Sequence, residues 1–198
     1  MKDRVSVAVT GGIGSGKSTT IKILKELNYP VFSCDEISKE LSQEKEYLDK
    51  LNKIFPSVFD AEGRLDKIKL AQLVFNDENL LKKLNDFSHP IIMEKLQKRV
   101  RSVNGLVFSE VPLLFEGKFE NDFDFVIIVL RDLSKRIESV CARDCLKNEQ
   151  VLDRIKRQFN YEKLDLKTLP KNQFFVWNNE GEDNLKNSIK LILNKINL

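Results

Sequence analysis

Residues 5–24 read VSVAVTGGIGSGKSTTIKIL: an apolar, β-branched stretch, then four glycines within six residues, then a run that suits a helix. Gly11, Gly16, Lys17 and Ser18 satisfy the spacing G-x-x-x-x-G-K-[ST], and the strand before and helix after supply the context that this spacing requires. Gly11, Gly12, Gly14 and Gly16 let the backbone turn its N–H groups inward, forming an anion-binding concavity at a helix N-terminus. Lys17 adds a full charge for the β and γ phosphates, and the Ser18 hydroxyl is placed to ligate magnesium. Thr19 and Thr20 follow in the first helical turn, where a hydroxyl can reach an α phosphate or simply fill the helix.

The rest of the chain gives this loop a sheet to sit on. Apolar runs rich in β-branched and aromatic residues lie at 5–9, 31–32, 106–108, 125–130 and 174–177, separated by segments of helical spacing. That alternation predicts an α/β fold with a mostly parallel sheet covered on both faces. Leu80, Leu81, Leu84 and Phe87 mark one helix, and Leu185, Ile189, Ile192, Leu193 and Ile196 another. Pro56 and Gly63 bracket a loop, and Pro90 suits the first turn of a helix that starts there. Residues 35–104 carry almost no strand signal, so a helical insertion beside the sheet is expected. A second helical stretch, 132–169, spaces Arg136, Arg143, Arg154 and Arg157 behind Arg131, either as solvated helix faces or as a flap bringing cations over phosphates.

Composition narrows the partners. The 33 basic and 30 acidic side chains leave a net charge of +3, so nucleic acid is not favoured on charge alone. No apolar run approaches the roughly 18–20 residues of a membrane-spanning helix, and no signal-peptide pattern opens the chain, so a cytoplasmic protein with no membrane partner is expected. Cys34, Cys141 and Cys145 suggest reduced thiols, and with His89 as the single histidine no zinc ligand set is completed.

A triphosphate cradle does not name a reaction. A guanine-reading N-K-x-D element is absent, and a chain of 198 residues is short for most motor or transporter ATPases. A kinase acting on a small acceptor remains, and it needs an acidic group near the acceptor hydroxyl. Asp35 follows the second strand in FSCDE, and Glu110 ends the third in LVFSEVPLLFEG, with Glu116 beyond it. Strand carboxyl ends are where α/β proteins place ligand chemistry. Asp35 can equally be the N-cap of a helix over 37–41.

In order and spacing, these residues resemble dephospho-CoA kinase over nearly the whole chain. The resemblance rests on VTGGIGSGKST, CDEIS, GRLDKIKLAQLVF, the His89-Pro90 pair, EVPLLFE, RIESVCARD, RIKRQ and NEG at 179–181. It implies a P-loop kinase fold with a five-stranded parallel sheet flanked by helices, a core of 1–34, 105–131 and 170–198, a helical CoA-binding insertion over 35–104, and a lid over 132–169. It also implies ATP and dephospho-CoA as substrates, magnesium as cofactor, and a monomer or small homo-oligomer. Asp35, Lys17 and Arg143 would then be catalytic, with Asp35 taking the proton of the ribose 3′-hydroxyl and Arg143 countering charge on the transferring phosphoryl group. Gly12, Ile13, Gly14, Ser15, Gly16, Lys17, Ser18, Thr19 and Asn179 would bind ATP, while Asp35, His89, Pro112 and Leu113 would bind the acceptor. Ser18 and Glu110 would support the metal. The chain departs from the family pattern at Ser33, which stands where a first aspartate is common, at Lys67, which replaces an arginine, and in KNQFF, which lacks an Ala-Asp pair. Another P-loop kinase, with a nucleoside, nucleotide or sugar acceptor, is the alternative, and an ATP-holding regulatory module is the rival outside catalysis.

Overall fold

The structure, a computed structural model, describes residues 4–196. Five strands, β1 (Arg4–Thr10), β2 (Val31–Ser33), β3 (Gly105–Glu110), β4 (Phe125–Leu130) and β5 (Gln173–Trp177), form a parallel sheet in the order β2-β3-β1-β4-β5. The central strand β1 runs in register from Arg4 opposite Gly105 to Val9 opposite Glu110, and on its other side from Val7 opposite Phe125 to Thr10 opposite Ile128. The chain leaves β1 toward β2 on one side and later crosses from β3 to β4 on the other, so the loop after β1 lies at a reversal of strand order, where open α/β sheets bind ligands.

The chain divides into two compact units, residues 1–32 with 100–198, and residues 33–99. In the first unit one face of the sheet is closed by α1 (Lys17–Glu26) and α8 (Glu182–Ile196). Val7 and Val9 on β1, Ile127 and Val129 on β4 and Val176 on β5 alternate toward Ile21, Ile23 and Leu24 of α1 and Leu185, Ile189, Ile192, Leu193 and Ile196 of α8. Strand period two and helix period 3.6 thus meet in one apolar layer, each fully buried aliphatic side chain contributing about 1.5–3 kcal/mol. Because β5 is an edge strand, its alternate residues Phe175 and Trp177 stay largely exposed, so Trp177 is an edge residue and not a core one. Helices α6 (Leu133–Asp144) and α7 (Asn148–Lys156) and a 3-10 turn at Tyr161–Lys163 occupy the stretch between β4 and β5.

The second unit is helical: α2 (Cys34–Leu41), α3 (Lys45–Ile54), α4 (Lys67–Phe75) and most of α5 (Glu78–Arg101). Leu51, Phe55, Val58 and Val74 form its core, with Leu80, Leu81, Leu84 and Phe87 packed against them from α5. The loop after Pro56 contains a 3-10 turn at Pro56–Val58 and a lone antiparallel bridge between Phe59 and Leu65. Asp60 holds its tip by accepting from the backbone N–H groups of Glu62 and Arg64, and the Arg64 N–H, followed by its guanidinium, keeps the Asp60 carboxyl below the usual carboxylate range.

Two local expectations are corrected. Pro90 does not open a helix: it lies inside the continuous α5, with helix on both sides. The apolar spacing of Leu80 to Phe87 carries on beyond it in the buried Met93, Leu96 and Val100, and burial of these residues outweighs the one hydrogen bond the ring removes. Asp35 is not an N-cap either. Ser33 caps α2 with its hydroxyl accepting from the Asp35 N–H at 3.2 Å, which puts Asp35 in the first turn, where its charge favours the positive end of the helix.

Candidate phosphate-binding loop

Residues 11–16 turn from β1 into α1 through backbone angles that only glycine adopts without strain: φ is 77° at Gly14 and 99° at Gly16. Space is as restrictive as conformation. A Cβ on Gly16 would stand 1.9 Å from Asn178 Nδ2, and one on Gly11 2.3 Å from the Val129 carbonyl oxygen. Gly16 is the N-cap of α1 with no side chain capping it, and no acidic residue lies in the first turn, so the amides there are presented to a ligand in a positive field. The Lys17 ammonium folds over the loop, donating to the carbonyl oxygens of Gly11 at 2.7 Å and Gly12 at 3.1 Å. Ser18 is exposed at the helix start, Thr19 is half-buried, and the buried Thr20 donates back to the Gly16 oxygen at 3.2 Å.

A ring of side chains from residues 131–178 surrounds this loop. Arg136, only 3% exposed, donates from Nε to the Ile13 carbonyl at 3.0 Å and from Nη1 to Glu162 Oε1 at 2.5 Å. Gln158 Oε1 accepts the Ile13 N–H at 2.7 Å. Asn178 Nδ2 donates to the Ser15 carbonyl at 3.0 Å, and Arg131 Nη1 bonds Ser139 at 2.7 Å and reaches the Gly14 carbonyl at 3.4 Å. Tyr161 is buried with its hydroxyl 3.2 Å from Thr10 Oγ1 and bonded to the Gly11 backbone. Its phenol is pushed above the usual tyrosine range by burial. Phe115 and Phe159 stack beside it, with centroids 4.7 Å apart, and Glu116 accepts the Phe159 N–H at 2.8 Å. Next to the loop is a cleft of about 110 Å³ bordered by Ser15, Leu130, Arg131, Arg136, Tyr161 and Trp177. Two buried polar atoms among its lining residues, Ser15 Oγ and Arg131 Nε, have no hydrogen-bond partner among the described residues, which marks a place for a polar ligand or water.

The remaining expected residues are placed as follows. Glu110 ends β3 opposite Val9, half-buried, and is followed by Pro112 and Leu113 in the turns after the strand. Asn179 ties the end of β5 to the start of α6: its Oδ1 accepts from the Asp132 N–H at 3.0 Å and its Nδ2 donates to the Asp132 carboxylate at 2.8 Å. The neighbour that touches the phosphate loop is Asn178. Arg143 is mostly exposed at the end of α6 and donates to Asp144 at 2.7 and 3.0 Å, which raises its own pKa and lowers that of Asp144. Of the arginines expected around that stretch, Arg136 and Arg131 both bond the loop, Arg136 by the shorter contact. In the helical unit, Asp35 is exposed in the first turn of α2, His89 is half-buried within α5, and Lys67 donates to Ser42 at 2.8 Å. Gln158, Tyr161, Glu162 and Asn178 had no assigned role in the sequence. Gln158 and Arg136 lie in the quoted RIKRQ and RIESVCARD stretches, whereas nothing local marks Tyr161 or Glu162.

Among the described residues no helix is long and apolar enough to cross a membrane, and no group of three or more His, Cys, Asp or Glu side chains is set to hold a metal ion. A family model described as dephospho-CoA kinase matches residues 5–180. The chain is similar to curated dephospho-CoA kinases: one from Thermus thermophilus is 34% identical over 194 residues, covering 97% of this chain and 92% of the relative. Another, from Helicobacter pylori, is 36% identical over 162 residues, covering 79% of this chain and 82% of the relative. A crystal structure of a Thermus thermophilus protein superposes with a TM-score of 0.82 at 32% identity, covering 98% of each chain.

Proposed function

The chain belongs to the dephospho-CoA kinase family, and on that premise we propose that it transfers the γ-phosphoryl group of ATP to the ribose 3′-hydroxyl of dephospho-CoA, releasing ADP and CoA. The observation that carries the donor half is the uncapped N-terminus of α1 behind a glycine loop with Lys17 folded over it. When a triphosphate enters, the Lys17 ammonium exchanges the Gly11 and Gly12 carbonyls for β and γ phosphate oxygens, and the amides at the helix start take the remaining charge. Gly12, Ile13, Gly14, Ser15, Gly16, Ser18 and Thr19 form the wall of that cradle, and Asn179 holds the adjoining turn by its pairing with Asp132.

Asp35 is the proposed base. It accepts the proton of the ribose 3′-hydroxyl as that oxygen attacks the γ phosphorus and the bond to the β–γ bridging oxygen breaks. Its support is its place directly after β2, at a strand carboxyl end, and its exposure. Arg143 supplies charge from α6, and because its own side chain is mostly exposed, its present pairing with the half-buried Asp144 is weak enough to exchange for phosphate. His89, Pro112 and Leu113 are the proposed acceptor contacts.

Magnesium fits the oxygen donors at the loop. Ser18 offers an exposed hydroxyl at the start of α1, and Glu110 a carboxylate at the end of the neighbouring β3. A hard cation that keeps most of its waters and rides on phosphate needs only one or two such protein oxygens. The ion would neutralise charge between the β and γ phosphates.

The test is to incubate purified protein with ATP, magnesium and a panel of acceptors, following ADP release and product mass. Turnover with dephospho-CoA and a mass gain of one phosphate on it are expected. Turnover with a nucleoside, nucleotide or sugar, and none with dephospho-CoA, would sink the proposal.

A further inference from the structure

Ile13 is the one non-glycine residue between the first glycine pair and Gly14, and both polar groups of its backbone are held by side chains far along the chain. Gln158 takes its N–H at 2.7 Å, and Arg136 Nε donates to its carbonyl at 3.0 Å. We propose that Arg136 and Gln158 are positioning residues that pre-set the phosphate loop, acting on the nucleotide through the Ile13 peptide without touching the acceptor. This rests on the ATP-dependent reading above.

The physical case starts from the loop's composition. Four glycines in six positions give a free loop many conformations, all but one of which misplace the amides meant for phosphate. Fixing one peptide plane at both ends removes most of that freedom before the ligand arrives, which is the gain that preorganisation brings to binding and catalysis. Arg136 is itself costly to keep buried. A guanidinium 3% exposed, with Glu162 as its ion-pair partner, is an expensive side chain to bury, and packing alone would be served as well by an apolar residue. Its third nitrogen is also committed to the loop: a Cβ on Gly12 would meet Nη2 at 2.4 Å. Both clamp residues are themselves fixed by their backbones, the Arg136 N–H donating to Asp132 at 3.0 Å in α6 and the Gln158 N–H to Ile155 at 3.1 Å after α7.

Gln158→Met keeps the length of the side chain and removes the acceptor. Arg136→Lys keeps the charge and removes the fork. Gln158→Glu keeps an acceptor oxygen. Isothermal titration with ATP and steady-state kinetics in both substrates on the full chain separate the outcomes. Gln158→Met and Arg136→Lys are each expected to weaken ATP about tenfold or more, with the KM for dephospho-CoA within about twofold of the parent. Gln158→Glu restores most of the affinity. The double variant falls well short of the product of the single effects, because both act through one peptide. Unchanged ATP affinity in Gln158→Met, multiplicative effects in the double variant, or equal rises in both KM values would overturn the clamp while leaving the kinase assignment intact. A parent protein that binds no ATP would overturn both.

Discussion

The Arg136 guanidinium fills the space that a side chain on Gly12 would require, so a residue of α6 decides that position 12 stays glycine. Nearly all of that arginine is buried and one of its arms is paired with Glu162, which leaves it no easy retreat.

Gly12→Ala therefore forces the guanidinium off the loop and breaks its bonds to Ile13 and Glu162. A loss of about 1–3 kcal/mol in stability is expected from overpacking. A fall of about a hundredfold in kcat/KM for ATP accompanies it, since a shift near 1 Å at the reacting centre has that effect. Thermal melting and initial rates check both numbers, and a variant with parental melting and turnover would contradict the packing argument.

Asp35→Asn removes the proposed base while keeping shape and the hydrogen bond from its N–H to Ser33, which is a backbone one. Turnover should fall by about 10²–10⁴, with ATP affinity within a factor of about 3 of the parent, because charge neutralisation of the donor does not depend on it. Near-normal kcat would pass the proton role to Glu110 or remove it from the scheme.

Tyr161 predicts an alkaline limit on stability. Burial raises its phenol above the ordinary range, so the folded state holds the proton more tightly than the unfolded chain does. The contribution is fully present below the unfolded tyrosine value of about 10 and is lost as pH rises above it toward the native value. Tyr47 is shifted in the same direction by burial. Comparing urea midpoints of the parent and Tyr161→Phe from pH 7 to 11 isolates the Tyr161 part. The variant should be about 1 kcal/mol less stable at pH 7, from the lost bond to Thr10. That gap should narrow as pH rises, and a gap independent of pH would refute the assignment.

Pro90→Ala should stabilise the helical unit. The ring is exposed and withholds one N–H from the interior of α5. Restoring that bond and relieving the ring against the preceding turn is worth up to about 3 kcal/mol, read as a higher melting temperature. A lower one would mean that the ring at Pro90 is needed by the packing around Phe87 and Leu84.

What could be read from the chain alone follows the range of each signal. The glycine loop, Lys17 and Ser18 are adjacent in sequence and act through their own backbone, so eight residues carried both geometry and chemistry. The central strands β1, β3 and β4 were legible as apolar runs because parallel strands buried on both faces leave little room for polar residues. The two errors in local structure came from competition between equivalent signals. Ser33 and Asp35 are both good helix caps, and only the folded backbone chose the serine. Pro90 reads as a helix start until the apolar residues on both sides of it, Leu84 and Phe87 before and Met93 and Leu96 after, are seen to lie buried or half-buried along one continuous helix.

The sequence by itself determined that a phosphate cradle sits between a central strand and a helix, because that device is built from consecutive residues and needs no distant partner. Only the tertiary structure decided what holds the cradle still. Arg136, Gln158, Tyr161 and Asn178 reach residues 10–15 from more than a hundred positions away. No local periodicity encodes such a contact, since it exists only once β4 and β5 are laid beside β1 and the intervening helices are brought back over the loop.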